Sequence, residues 1–135
     1  MPDENVEIVH RIWDAAERGD TEAAFELYDP AIVLDNSTVP GPLAGRYQGH
    51  DGVRRFSAEW REPFAAETYR AQPEEFIDAG DRVVVGVRLT ARGKTSGASV
   101  EMSRWHVYTI RDGRVTRIDI FATKSEALER AALES

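Results

Sequence analysis

Apolar residues in the first half of the chain recur at three- and four-residue spacing, which is the spacing of one face of a helix. This pattern predicts a first helix over residues 5–18, with an apolar face made of Val6, Val9, Ile12, Trp13 and Ala16. A second helix is predicted over 21–28, and a third from Asp51, as its cap, to Pro63. Between them, the short β-branched run 31–35 predicts a strand, followed by a turn-rich loop.

In the second half, the pattern changes to strands joined by short turns. Four consecutive strands are predicted, over 67–77, 82–92, 100–110 and 114–122. The first is expected at a sheet edge or with a bulge, because Pro73 cannot donate a hydrogen bond within a central ladder. A terminal helix is predicted over 124–133.

The order of these elements predicts one α+β domain over residues 1–135. Sequential strands joined by short turns pair antiparallel, and the three preceding helices can cover one face of the resulting sheet. A strongly bent sheet with helices across its concave side encloses space. We therefore expect a curved antiparallel sheet wrapped around helices, cone-shaped and with an internal pocket.

Composition narrows the range of functions. The net charge of −7 argues against a nucleic-acid partner, because phosphate binding needs a concentrated basic surface. The lack of cysteine excludes disulfides, thiolate ligands and cysteine nucleophiles, and the three histidines show no close ligand spacing, so no metal site is expected. No apolar run approaches the roughly 20 residues of a membrane span, and no signal peptide is recognisable. A cytoplasmic protein without a membrane partner is expected.

Polar side chains on the hairpin over 100–122 suggest a site, because burying such groups without partners is costly. If the Asp-Gly turn has two residues, His106 lies opposite Asp119, and the carboxylate can orient the imidazole for acid–base chemistry. If the turn is a three-residue Arg-Asp-Gly loop with a glycine bulge, His106 faces Ile118. Asp119 then points to the other face of the sheet, with Trp105. The residues themselves leave both registers open.

Four segments together resemble the SnoaL-like branch of the nuclear transport factor 2-like superfamily: AERGDTEAAFELYDPAIVLDNS, GRYQGHDGVRRFSAEW, EEFIDAGDRVVVGVRLTARGKTSG and VYTIRDGRVTRIDIF. The resemblance covers nearly the whole chain and implies the ketosteroid isomerase-like cone fold. The superfamily includes isomerases, cyclases, epoxide hydrolases and binding modules, so the resemblance implies no single activity. Its members commonly dimerise through the outer sheet face, which implies a homodimer here, with Trp105 and Val107 on that face.

The resemblance also bears on three candidate catalytic residues: Asp35, His106 and Asp119. By similarity to ketosteroid isomerase, Asp35 falls where the general base stands and His106 where a protonated aspartate lies in the oxyanion hole. Ile12 falls where that enzyme has its tyrosine donor, which argues against steroid isomerase activity. In related hydrolases and cyclases, a catalytic aspartate on the last strand aligns with Ile120, one place beyond Asp119. That alignment favours the bulged register, with Asp119 as a surface or interface residue.

The expected partner is a small hydrophobic molecule, bound without a cofactor. Its pocket is expected to be lined by helix faces that cover the sheet and by the last two strands, through Trp13, Phe56, Trp60, Arg104, Tyr108, Ile118 and Ile120. Two functions fit this expectation. One is a cofactor-independent cyclase, isomerase or hydrolase of a polyketide-, steroid- or terpene-like substrate. The other is a non-catalytic ligand-binding protein or a dimeric interaction protein.

Overall fold

The computed structural model describes the backbone of residues 2–132 and the side chains of 4–132. Within this range it contains four α-helices, six strands and one 3₁₀ turn: α1 (Pro2–Glu17), α2 (Thr21–Glu26), β1 (Tyr28–Asp35), β2 (Arg46–Gln48), α3 (Gly49–Arg61), the 3₁₀ turn (Ala66–Thr68), β3 (Arg70–Ala79), β4 (Arg82–Arg92), β5 (Ser99–Arg111), β6 (Arg114–Phe121) and α4 (Lys124–Ala132). The predicted α+β class is confirmed. Residue 133, the last of the predicted terminal helix, lies outside the described residues.

The six strands form one curved sheet in the order β2-β1-β6-β5-β4-β3. Strands β3 to β6 pair antiparallel, as the short turns between them require. Strand β1 instead runs parallel to β6. The antiparallel pairing predicted for the four consecutive strands is confirmed, but the sheet as a whole is mixed rather than antiparallel. Local turn signals carry no information about a pairing between strands so far apart in the chain.

Strand β3 lies at one edge of the sheet, and its register against β4 shifts between Pro73 and Glu75. An edge position and a bulge each tolerate a residue without an N–H donor. The prediction that proline would place this strand at an edge or in a bulge is therefore confirmed on both counts.

Two boundaries differ from the sequence prediction. Helix α2 starts as expected, with the Asp20 carboxylate accepting a hydrogen bond from the Ala23 N–H at 3.1 Å. It ends at Glu26 rather than at Tyr28, because Tyr28 already pairs with β6 as the first residue of β1. Helix α3 begins after Gln48, so the predicted cap Asp51 lies inside the first turn.

The two faces of the sheet are covered by different helices. Helix α1 packs against β3 and β4, and α3 packs against β1 and β2, on the face we call the cavity face. Helix α4 packs against β4, β5 and β6 on the opposite side, which we call the outer face. Strand β4 serves both, because Val83 and Val85 join the large core while Val84 joins a smaller cluster under α4.

The outer face bears on the predicted dimer contacts. Val107 is fully buried within the chain, in the cluster with Ala127 of α4. Trp105 is only partly buried, and the Lys124 ammonium lies 5.5 Å from the centre of its ring. Val107 is therefore unavailable to a partner in this arrangement, because α4 covers it. Homodimerisation itself stays a prediction.

Among residues 2–132, no helix is long and apolar enough to cross a membrane.

Candidate functional site

A cavity of about 180 Å³ lies between the cavity face of the sheet and helices α1 and α3. A cavity of about 150 Å³ lined by apolar side chains holds a benzene ring. The space here therefore suits one ring or a small fused system. The predicted ligand-binding residues all line it: Trp13, Phe56, Trp60, Arg104, Tyr108, Ile118 and Ile120. Their role in binding stays a prediction.

Strand alternation brings the central polar groups to this cavity. His106 and Tyr108 are two residues apart on β5, so both side chains point to the same face. Ile118 and Ile120 do the same on β6, directly opposite them. The cavity floor is thus a block of two polar and two apolar side chains held by a regular ladder.

The hairpin that carries these residues combines a tight turn with a bulge. Its Asp-Gly pair forms a two-residue turn, with φ of 51° and 79°, as a type I′ turn requires. Ile110 then pairs with Val115, but Thr109 pairs with Arg117. Thr116 is therefore an extra residue in β6, and it shifts the register of everything beyond it by one.

This register differs from both sequence hypotheses. His106 pairs with Ile120, so the predicted pairings with Asp119 and with Ile118 are both wrong. The bulge lies within β6 rather than at the turn, and it shifts the strand in the opposite direction. Asp119 pairs with Val107 on the outer face. The consequence expected of a bulged hairpin therefore holds: the carboxylate and the imidazole lie on opposite faces of the sheet.

His106 is a neutral group in an apolar surrounding. Burial lowers its pKa to about 4, because it disfavours the charged imidazolium, and the nearby Arg104 charge acts in the same direction. Its Nδ1 lies 3.4 Å from the Tyr108 hydroxyl, and its ring centre lies 5.9 Å from that of Trp13. At neutral pH the imidazole can accept one hydrogen bond and donate another.

The phenols and the indole beside His106 are also uncharged. Burial raises the pKa of Tyr108 well above its usual range, and the neighbouring Tyr28 raises it further. Burial raises the pKa of Tyr28 to about 12. The nearby Trp13 indole partly opposes the rise in the pKa of Tyr108. Its buried Nε1–H nevertheless has no hydrogen-bond partner within the described chain. Among the described residues, the cavity thus offers protonated donors and no carboxylate.

A second polar group lies where α3 ends. The Trp60 Nε1–H donates a hydrogen bond to the Tyr69 hydroxyl at 3.0 Å, and the Arg61 guanidinium lies 4.7 Å from the centre of the Tyr69 ring. Arg61 is exposed, so this side of the cavity is open to solvent. Across the sheet, Arg104 donates to the Ser103 carbonyl at 2.8 Å.

Sequence reasoning missed about half of the lining, which includes Tyr28, Leu34, Asn36, Ser57, Arg61, Tyr69, Ala71, Val87 and Leu89. Some of these had a usable signal. Val87 and Leu89 follow Val85 at alternate positions of a strong strand, and Arg61 follows Trp60 on a helix already assigned to the sheet. Asn36 and Tyr69 had none, because they lie in segments whose path depends on long-range packing.

Neither predicted catalytic aspartate lines the cavity. On the outer face, the Asp119 carboxylate accepts hydrogen bonds from Arg117 Nε at 3.0 Å and Arg130 Nε at 3.3 Å. Asp35 accepts from Arg117 at 2.8 Å and from Arg46 at 3.2 Å. The two acids and three arginines form a continuous ion-pair network.

The position of Asp35 follows from alternation along β1. Leu34 lines the cavity, so the next residue points away from it. Burial alone would raise the pKa of Asp35, but hydrogen bonds from Ser37 and the charges of Arg117 and Arg46 lower it below its usual value. The predicted general base therefore lies outside the cavity, and its carboxylate forms ion pairs that stabilise the fold.

Asp119 also departs from its expected place. It lies on the outer face, as the bulged register implied, but its side chain is only 5% exposed. It is a buried ion-pair partner beneath α4 rather than a surface residue. Within the described part of the chain, no group of three or more histidine and carboxylate side chains could hold a metal ion.

Comparisons with known proteins agree with the geometry. Residues 9–118 match the SnoaL-like domain family. A comparison with curated protein sequences finds no match.

Solved structures share the fold over nearly the whole chain. TerC, co-crystallised with polyporic acid, is 24% identical over 96% of this chain and 99% of its own, with a TM-score of 0.74. A nuclear transport factor 2-like protein of Burkholderia xenovorans is 28% identical over 97% of both chains, with a TM-score of 0.71. A candidate polyketide cyclase of Sinorhizobium meliloti is 28% identical over 85% of this chain and 94% of its own, with a TM-score of 0.62. The fold implied by the sequence resemblance is confirmed.

Proposed function

The chain belongs to the SnoaL-like domain family, and we propose that it binds a small, largely apolar organic molecule in the cavity between the sheet and helices α1 and α3. The observation that carries the proposal is the cavity of about 180 Å³, walled mostly by apolar side chains with a few polar groups. Natural ligand sites have this composition, because apolar area supplies affinity and a few polar groups fix orientation.

The ionisation states of the polar groups support the proposal. At neutral pH, His106, Tyr28 and Tyr108 are all uncharged, since their pKa values are shifted away from 7. An entering apolar ligand therefore does not strip water from a charge at the cavity floor, which would oppose binding. The imidazole and the phenols remain able to hydrogen-bond a carbonyl or hydroxyl oxygen. TerC, a protein of the same fold, was co-crystallised with polyporic acid.

Naphthalene-2-carboxamide, a neutral bicyclic probe, tests the proposal by isothermal titration calorimetry. Ala71 lines the cavity from β3, so Ala71→Trp adds an indole at the ligand's place. Gln72→Trp adds the same bulk to the adjacent, exposed position, which does not line the cavity. We expect the first variant to weaken binding at least about tenfold, since apolar contact area is lost, and the second to bind like wild type. Equal loss in both variants contradicts the proposal, and so does a wild type that binds neither this amide nor naphthalene-2-carboxylate.

A second candidate function is a cofactor-independent enzyme with His106 as its base. The observation that favours it is a neutral imidazole whose Nδ1 lies beside a hydroxyl, in a cavity without a competing carboxylate among the described residues. An imidazole that is unprotonated at neutral pH can accept an α-proton next to a carbonyl group, and its lowered pKa makes it a weaker base than an ordinary histidine. The resemblance of the chain to a candidate polyketide cyclase adds to this interpretation.

Exchange of the α-protons of 2-tetralone in D₂O, followed by NMR, tests this second function. If His106 is the base, wild type accelerates exchange, His106→Gln does not, and Asp35→Asn does, because Asp35 lies on the outer face. Exchange lost in Asp35→Asn but kept in His106→Gln reverses the assignment. If wild type binds the carboxamide but does not accelerate exchange, the chain is a binding protein for this class of molecule.

A further inference from the structure

We propose that the natural ligand of the cavity is an organic anion, with an apolar ring body and a carboxylate or equally acidic group held by Arg61 and Arg104. This inference rests on the proposed function, because it concerns the ligand of the same cavity. It adds the ligand's charge and the residues that select it.

The first argument is the charge of the cavity lining. Arg61 and Arg104 are its charged side chains, and no aspartate or glutamate lines it among the described residues. The whole chain has the opposite balance, with 24 acidic and 17 basic residues. A cavity whose charged lining residues are arginines attracts anions more than cations. An acidic ligand also meets no repulsion from a lining carboxylate, although the chain as a whole is rich in carboxylates.

The second argument is the state of Arg61. Its guanidinium lies over the Tyr69 ring, 4.7 Å from the ring centre, and opposes the rise in the Tyr69 pKa that burial causes. Among the described residues, no carboxylate pairs with it. Arg54, two turns earlier on the same helix, pairs with Glu22 at 2.9 Å. A guanidinium has five N–H donors, so one that lies over a ring keeps donors at its edge that can receive a carboxylate.

The third argument is the state of Arg104. It is half-buried, it donates to the Ser103 carbonyl, and no carboxylate of the described chain pairs with it. Its charge reaches the cavity, because it helps to lower the pKa of His106. On the neighbouring strand, Arg88 has the opposite arrangement and pairs with both Glu74 and Glu101. A half-buried cation without a counter-ion is costly, and an anionic ligand would remove that cost.

The two ends of the cavity suit different parts of the proposed ligand. The floor, with neutral His106 and Tyr108 facing Ile118 and Ile120, suits an uncharged ring system. The exposed Arg61 lies where the cavity meets solvent, so the acidic group can stay partly hydrated while it pairs with the guanidinium. A molecule with rings at one end and a carboxylate at the other matches this layout.

Two probes of the same shape separate charge from fit. Naphthalene-2-carboxylate is ionised at pH 7.5, and naphthalene-2-carboxamide is its neutral counterpart. By calorimetry, we expect wild type to bind the carboxylate about tenfold more tightly than the amide, as charge-assisted hydrogen bonds allow. Arg61→Gln and Arg104→Gln should each reduce this ratio, and the double variant should bring it to about one.

Arg55→Gln is the matched control. Arg55 lies on the same helix as Arg61 and stacks on Tyr47 with 5.0 Å between the guanidinium and the ring centre, but it does not line the cavity. This variant should keep the full preference for the carboxylate. If Arg55→Gln loses as much of the preference as Arg61→Gln, the preference depends on the net charge of the protein. That result would overturn the assignment of Arg61 to the ligand's acidic group.

The remaining outcomes distinguish the two proposals. If wild type binds the amide as tightly as the carboxylate, or if the preference survives in the double variant, the inference is wrong and the proposed cavity function stands. If wild type binds neither probe, the proposed function is wrong and the inference falls with it.

Discussion

The two faces of the sheet bury their polar groups in opposite ways. On the cavity face, His106 and Tyr108 are uncharged and make one long contact with each other. On the outer face, Asp35 and Asp119 form ion pairs with arginines, with 2.8 to 3.3 Å between nitrogen and carboxylate oxygen. The same strands carry both sets, because successive side chains of a strand point to opposite faces.

The difference shows why residue type alone does not identify a site. The outer-face network anchors α4: Arg130 of that helix donates to Asp119, while Arg82 donates to the Arg130 carbonyl at 3.2 Å. Those carboxylates accept hydrogen bonds from arginines and do not line the cavity, so they are not available to a ligand there. The polar groups of the cavity have few protein partners, and their donors and acceptors remain available to a ligand.

The largest effect is expected on the outer face. Asp119→Ala should lower the free energy of unfolding by about 3 to 5 kcal/mol, because it leaves Arg117 and Arg130 without their shared acceptor. Urea denaturation measures it. The control Glu101→Ala breaks the exposed pair with Arg88 and should cost less than about 1 kcal/mol. Equal losses in both variants would mean that the outer-face network does not stabilise the fold.

On the cavity face, the expected effect depends on pH. The folded-state pKa of His106 is about 4 against an ordinary 6.5, so the unfolded chain binds this proton more readily. The contribution of neutral His106 to the free energy of unfolding is complete above pH 6.5. As the pH falls from 6.5 towards 4, the free energy of unfolding decreases by about 3 kcal/mol in total. Urea denaturation at several pH values should show this loss in wild type and in the control His10→Gln, but not in His106→Gln. The same pH slope in all three proteins would contradict a buried neutral imidazole.

The smallest effect is expected for Asp35→Asn. The side chain keeps its size and can still accept the Ser37 N–H, so the loss of charge should destabilise the fold by only about 1 kcal/mol. Binding of naphthalene-2-carboxamide should stay within about twofold of wild type, since the residue does not line the cavity. A tenfold loss of binding without a matching loss of stability would place Asp35 in the site after all.

Local patterns predicted the helices and strands well, because helix and strand periodicity depends on residues that are close together in the chain. Pro73 identified an edge strand, and alternation placed His106 and Tyr108 on one face. The side on which Asp119 lies depended on the extra residue Thr116, for which the sequence has no marker comparable to a glycine. The partners of Asp35 come from β6 and β2, and only the folded sheet brings them together.

The most direct test of the contrast between the two faces is the pKa of His106, measured by side-chain NMR in wild type and in Asp119→Asn. We expect a pKa near 4 in both proteins, because the partly buried imidazole lines the cavity and the carboxylate lies on the other face. A pKa at or above the ordinary 6.5 that falls when Asp119 is neutralised would show that the two groups touch. It would contradict the register, and with it the assignment of the aspartates to structure and of the cavity to ligand binding.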